Sequence, residues 1–192
     1  MKYIFTALLL LTIVAGSSLR AQDKDNNTDP KGFRKEFLGQ LDENQKKLID
    51  LAGAIPAESY SWRPMEGVRS VSEVYMHVAL SNYSYANFAG TSRPEQLKGD
   101  MEKTVTDKEK VIDILKRSFA QLRQALGSVP DANLDNTAKV WGGEETTLRN
   151  VFFGAATHMA EHLGQSIAYA RMNKIVPPWT AAEEAAAKAK KK

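Results

Sequence analysis

The sequence predicts an all-α protein, an antiparallel four-helix bundle with long connecting loops. Three observations carry that prediction. Apolar residues recur at helical spacing in four separate stretches, helix-start signals and prolines bound those stretches, and no segment alternates apolar and polar residues long enough to read convincingly as a strand.

Ahead of the first helix, residues 1–21 read as an export signal. Met1-Lys2-Tyr3 supplies a positive start, Ile4 to Val14 an apolar run, and Ala15 to Ala21 a small-residue exit. Cleavage is expected after Ala21, which makes the protein periplasmic or secreted. The apolar run is shorter than the ~20 residues a spanning helix needs, so no stable membrane span is expected after processing. Residues 22–29, rich in Asp, Asn and Lys, read as a solvated linker.

The bundle is expected over residues 30–180. Asp29-Pro30 gives a cap and a proline at the first helical position, and Phe33, Phe37, Leu41, Leu48, Ala52 and Ile55 follow at helical intervals to about Ala54. Pro56 stops that helix and opens a long, Trp62-containing connection. Ser70-Val71-Ser72-Glu73 has the form of a capping box, which starts a second helix running through Val74, His77, Val78, Ser81 and Tyr85 to about Phe88.

Gly90 to Lys103 reads as a loop with at most a turn of helix. Thr106-Asp107-Lys108-Glu109 reads as a second capping box, and Val111, Ile112, Leu115, Phe119, Leu122 and Leu126 mark a third helix closed by Gly127 in a left-handed conformation. Ser128 to Glu145 is a second long connection, with a tight turn at Gly142-Gly143 and a short extended piece over Thr137 to Trp141. The fourth helix is expected from Thr147 to about Asn173. Pro177-Pro178-Trp179 then ends the ordered chain, leaving residues 181–192 as a Lys/Ala-rich tail that reads as a frayed helix or a disordered end.

Composition excludes some functions. The chain has no cysteine, so it forms neither a disulfide nor a thiolate site. Its formal charge of +3 belongs to the ends: without Lys2 and Arg20 of the leader and the lysine surplus of the tail, the remainder is near −1. No basic face of the kind that binds nucleic acid is present.

The chemistry concentrates in the fourth helix. Two of the three histidines, His158 and His162, are four residues apart and therefore share one face, which Leu148, Val151, Phe152, Ala155, Met159, Ile167 and Ala170 mark as facing the core. His77 sits on the buried side of the second helix. A lone core histidine commonly finds a carbonyl or hydroxyl partner, but three in similar settings point to a metal, because neutral imidazole is the commonest metal ligand. Three nitrogens leave a position open for water or substrate. Glu161, Gln165, Ser81 and Tyr85 are the candidates to hold the outer ring nitrogens.

Taken in order, these pieces resemble the DinB-like family of four-helix metal-binding proteins. The resemblance runs from about Phe33 to Trp179. It rests on Trp62-Arg63-Pro64, Gly67-Val68-Arg69-Ser70-Val71 leading into His77, His158-x3-His162 with Gly164-Gln165, and Tyr169-x-Arg171-x-Asn173 with Pro177-Pro178. It implies that His77, His158 and His162 are ligands of a divalent metal such as Zn, Ni or Fe. It also implies transferase, isomerase or hydrolase chemistry on a small molecule, with the metal lowering the pKa of a bound thiol or water, and a homodimer. Two rival readings share the same residues. One is a non-catalytic bundle that binds a metal or a small ligand. The other is a metallopeptidase, since His158-Met159-Ala160-Glu161-His162 matches an HxxEH pattern, although Glu161 is turned about 60° from His158 on the helix and no carboxylate ligand but Glu183 or Glu184 follows.

Overall fold

The computed structural model describes residues 32–97 and 100–191, and contains six α-helices and one short hairpin within them. The expected export signal, the linker and the Asp29-Pro30 cap lie outside the described residues. Four long helices form the bundle: α1 (Gly32–Ala54), α2 (Val71–Phe88), α4 (Lys108–Ser128) and α5 (Leu148–Met172). The one-turn α3 (Met101–Thr104) sits between α2 and α4, and α6 (Pro178–Ala189) follows α5. Among the described residues no helix is long and apolar enough to cross a membrane.

Each long helix buries one stripe in a common core. Leu41, Leu48 and Leu51 from α1, Tyr75 and Met76 from α2, Leu115, Phe119 and Leu122 from α4, and Phe152, Ala155 and Met159 from α5 are completely buried. Burying a Leu or Phe side chain contributes about 1.5–3 kcal/mol, so this interior stabilises the bundle without disulfides.

The expected antiparallel packing is found in two pairs. Arg34 near the start of α1 donates to the carbonyls of Leu126 and Val129 at the end of α4, and Lys108 at the start of α4 donates to the carbonyls of Gly53 and Ile55 at the end of α1. Thus α1 and α4 cap each other's last turn with a cation, which suits the negative end of a helix dipole. In the second pair, α2 runs against α5, with Tyr85 beside Gly154 and His77 beside His162. Between the pairs the helices run parallel: Asn82 of α2 bonds Ser118 of α4, and Ser92 just beyond α2 accepts from Gln121 further along α4.

This arrangement has a consequence for the site. Parallel neighbours α2 and α4 need a connection that returns along the length of α2, about 27 Å for its 18 residues. That returning segment carries α3 back to the start of α2.

Local signals explain most boundaries. Ser70 and Glu73 form the expected capping box, and Thr147 caps α5 by accepting from the Asn150 amide. Three expectations need correction. The cap of α4 is Asp107, whose carboxylate accepts from the Lys110 amide at 2.9 Å, so the Thr106 box does not form. Gly127 does not close α4 in a left-handed conformation; the helix runs to Ser128, stops before Pro130, and has its last carbonyls satisfied by Arg34. The ordered chain does not end at Trp179, because Pro178 opens α6 as a first-turn proline and the alanine-rich tail continues it as a helix, the first of its two expected forms, with exposed side chains.

The second long connection holds a hairpin, β1 (Thr137–Lys139) paired antiparallel with β2 (Glu145–Thr147), with Ala138 opposite Thr146. Gly142 and Gly143 take φ of 72° and 80° in its turn, a region that side chains disfavour. The turn sets Trp141 against Tyr85 and Phe88 of α2.

Candidate metal centre

The antiparallel pairing of α2 and α5 brings all three histidines together. His77 lies on the second turn of α2, and His158 and His162 lie one turn apart on α5. One ligand nitrogen from each ring fits within a group whose members are all within 4.8 Å of one another. The rings are 4.5–5.0 Å apart between centroids. His162 is buried, while His77 and His158 are half-buried.

The hydrogen bonds fix which nitrogen faces inward. His77 Nδ1 donates to Glu102 Oε2 at 3.0 Å, and His162 Nδ1 donates to Gln165 Oε1 at 2.7 Å. Both residues therefore keep their Nε2 lone pairs free for the centre. His77 Nε2 and His158 Nε2 are 3.0 Å apart. Two nitrogens bound to one ion at ~2.0–2.1 Å each lie about 3 Å apart, so the donor set present can hold a divalent ion. The third outer nitrogen, His158 Nδ1, is buried without a hydrogen-bond partner.

The supporting bonds form two chains that meet at one residue. Arg69 Nε donates to Glu102 Oε1 at 2.6 Å, which holds the carboxylate that holds His77. On the other side, Gln165 Nε2 donates to the Tyr169 hydroxyl, which donates to the Arg69 carbonyl at 3.1 Å. Trp62 packs edge-on against Tyr169, so the first long connection covers this end of the chain of bonds.

The surroundings of His158 and His77 favour their neutral forms. Burial, followed by the charges of His162, His77 and Arg69, pushes His158 down to about 4. Burial also lowers His77, against the opposing pull of Glu102. Burial works to raise Glu102, but the hydrogen bonds from Arg69 and His77 outweigh it and leave the carboxyl below its ordinary value. Neutral imidazole beside an ionised carboxylate is the state that binds metal best.

Of the four residues expected to hold the outer nitrogens, only Gln165 does so. Glu161 is exposed and bonds to none of the rings, although its charge helps raise the Tyr85 hydroxyl after burial does. Ser81 also makes no bond to them. Tyr85 is a wall: its ring stands 6.0 Å from His158 and 5.0 Å from Trp141. Sequence reasoning missed Glu102 and Arg69. Glu102 is 25 positions from His77 in a segment without helical periodicity, and nothing local marks it. The peptidase pattern finds no support, since no carboxylate joins the cluster among the described residues and Glu183 and Glu184 stand exposed on α6.

Comparison with known proteins follows the same lines. A family model of the DinB superfamily matches residues 40–166. No curated protein sequence matches the chain. Among solved structures, a DinB-like protein from Bacillus cereus ATCC 10987 superposes with a TM-score of 0.64 at 16% identity, covering 74% of this chain and 93% of that one. YfiT from Bacillus subtilis, a probable metal-dependent hydrolase with an unusual four-helix bundle topology, gives 0.61 at 17% identity over 80% of this chain and 94% of its own. A mycothiol-dependent maleylpyruvate isomerase gives 0.53 at 12% identity, with 70% of this chain covering 62% of that one. At these identities the structures show a shared fold. The family match spans about two thirds of the sequence and includes all three histidines, so the chain belongs to the DinB superfamily.

Proposed function

We propose that this chain holds a divalent metal on His77, His158 and His162 and acts as an exported, metal-dependent transferase or hydrolase on a small molecule. One observation carries the reading: three imidazoles from two helices converge, and two of them have their outer nitrogens fixed by Glu102 and Gln165 so that Nε2 faces the common centre. A core histidine needs one partner; it does not need a partner that selects its tautomer toward two other histidines. The probable metal-dependent hydrolase activity of YfiT supports the hydrolytic branch, and the mycothiol dependence of the isomerase supports the thiol branch. Export rests on the leader-like residues 1–21 and weighs toward hydrolysis, because low-molecular-weight thiols belong to the cytoplasm.

A metal bound here supplies a Lewis acid that acidifies a coordinated thiol or water. The chain's own residues hold and shield that position. Glu102 keeps His77 oriented, and Gln165 does the same for His162. Tyr85, with Trp141 and Phe88 behind it, forms an apolar wall beside His158 that limits water and offers a flat surface to a substrate. The test is a panel of small esters, amides and electrophiles, with and without added thiols, on protein reconstituted with Zn²⁺, Ni²⁺ or Fe²⁺. Turnover absent from the His77→Ala variant is expected; equal rates in the two would contradict catalysis at this site.

A further inference from the structure

A polar cavity of about 640 Å³ is lined by Glu102 and Gln165, the residues that hold His77 and His162, and by none of the three histidines. Its other charged walls are Arg63, Arg69, Lys103 and Glu73. The two arginines differ in how much of their donor capacity is used. Arg63 spends both terminal nitrogens within the fold, on the Val68 carbonyl and on Glu73. Arg69 uses Nε on Glu102, and among the described residues its two terminal nitrogens have no hydrogen-bond partner.

We propose that this cavity is a binding site for a small carboxylate monoanion, held by the free terminal nitrogens of Arg69. A guanidinium whose Nε is already anchored presents a fixed planar fork, the geometry that matches a carboxylate. The charge of the cavity selects the valence of its ligand. Three cationic side chains face two anionic ones, which leaves one positive charge for the ligand to neutralise. A phosphate dianion would overcompensate and would meet Glu73 and Glu102 with its second charge. Asp100, 4.0 Å from Lys103, lies outside the walls and is exposed. The volume is in the range of small-molecule pockets. The site stands whether or not the histidines hold an ion.

The experiment titrates the metal-free full-length chain with acetate and, separately, with inorganic phosphate, reading the Gly67 amide and the Gln165 side-chain amide by NMR. Both residues line the cavity. Acetate is expected to give saturable shifts at both signals with higher affinity than phosphate, and Arg69→Lys, which keeps the charge and loses the fork, is expected to weaken acetate about tenfold. Lys103→Met, an exposed change that removes the surplus charge, is expected to weaken it several-fold without disturbing the fold. Absence of saturation, tighter binding of phosphate, or unchanged acetate affinity in either variant would overturn the proposal.

Discussion

His77 and His158 meet nitrogen to nitrogen, their Nε2 atoms 3.0 Å apart across 81 positions of sequence. Without an ion between them, one ring must donate and the other accept. His77 has its proton committed to Glu102 on the opposite nitrogen, so in the metal-free protein His158 is the donor and its own Nδ1 is left as a buried, unpartnered acceptor. An ion at the centre removes the need for that arrangement.

Glu102 should tune the affinity of the site. Replacing it by Gln keeps an acceptor for His77 Nδ1 but removes the charge, and Ala removes both. Losing the partner of a ligating histidine typically lowers affinity ~10–100-fold. Zn²⁺ affinity measured by chelator competition is expected to fall about tenfold in Glu102→Gln and further in Glu102→Ala. Equal affinities in all three proteins would remove Glu102 from the account.

Acid should destabilise the metal-free fold through His158. The folded chain holds this ring down to about 4, while the unfolded chain titrates near the ordinary 6.5. Between those values the unfolded state binds a proton that the folded state refuses, so stability is full above the upper value and falls as the pH drops toward the lower one. His77 and Glu102 are also lowered and act in the same direction. The thermal midpoint should fall over that window, and His158→Gln should flatten its slope. A slope identical to that of the wild type would contradict the assignment.

Gly154 tests the aromatic wall. A Cβ there would meet Tyr85 Cε1 at 3.4 Å, an ordinary contact, and the residue is helical. Gly154→Ala is therefore expected to stabilise the protein by about 0.5–1 kcal/mol through the helix backbone. Gly154→Leu should push Tyr85 away from His158 and lower stability. Both are read from urea midpoints; a destabilising alanine would mean that Tyr85 has no room to give.

The last helix should divide at Trp179. Every described side chain from 181 to 191 is exposed, whereas Trp179 packs partly against the core with Lys47 over its ring. Deleting residues 181–192 is expected to change stability by less than about 0.5 kcal/mol. Trp179→Ala should cost about 1–2 kcal/mol from lost apolar burial. Thermal unfolding of the two variants separates these effects.

The sequence showed what is periodic or locally capped. The His158–His162 pair is legible because four residues make one helical turn, and Gln165 because it lies three residues from His162 on the same helix. The Ser70 box is legible because both of its hydrogen bonds are local. Elements that depend on a distant partner were not. Arg34 replaces a glycine cap on α4 from 92 positions away, and Glu102 reaches His77 only because parallel neighbours force the chain back along α2. Strand β2 is three residues long, too short for alternation to show, and it exists through its pairing with β1. Ser81 and Tyr85 share the helix of His77, but the acceptor for His77 Nδ1 is Glu102, which comes from the segment packed alongside α2.

The central claim, that the three histidines hold a divalent ion, is tested most directly by elemental mass spectrometry on protein purified without a His-tag, comparing wild type with the His158→Ala/His162→Ala variant. The account predicts about one divalent metal per wild-type chain and none retained by the variant. A wild-type protein that stays metal-free after reconstitution with Zn²⁺, Ni²⁺ and Fe²⁺, or a variant that keeps the same content, would contradict it.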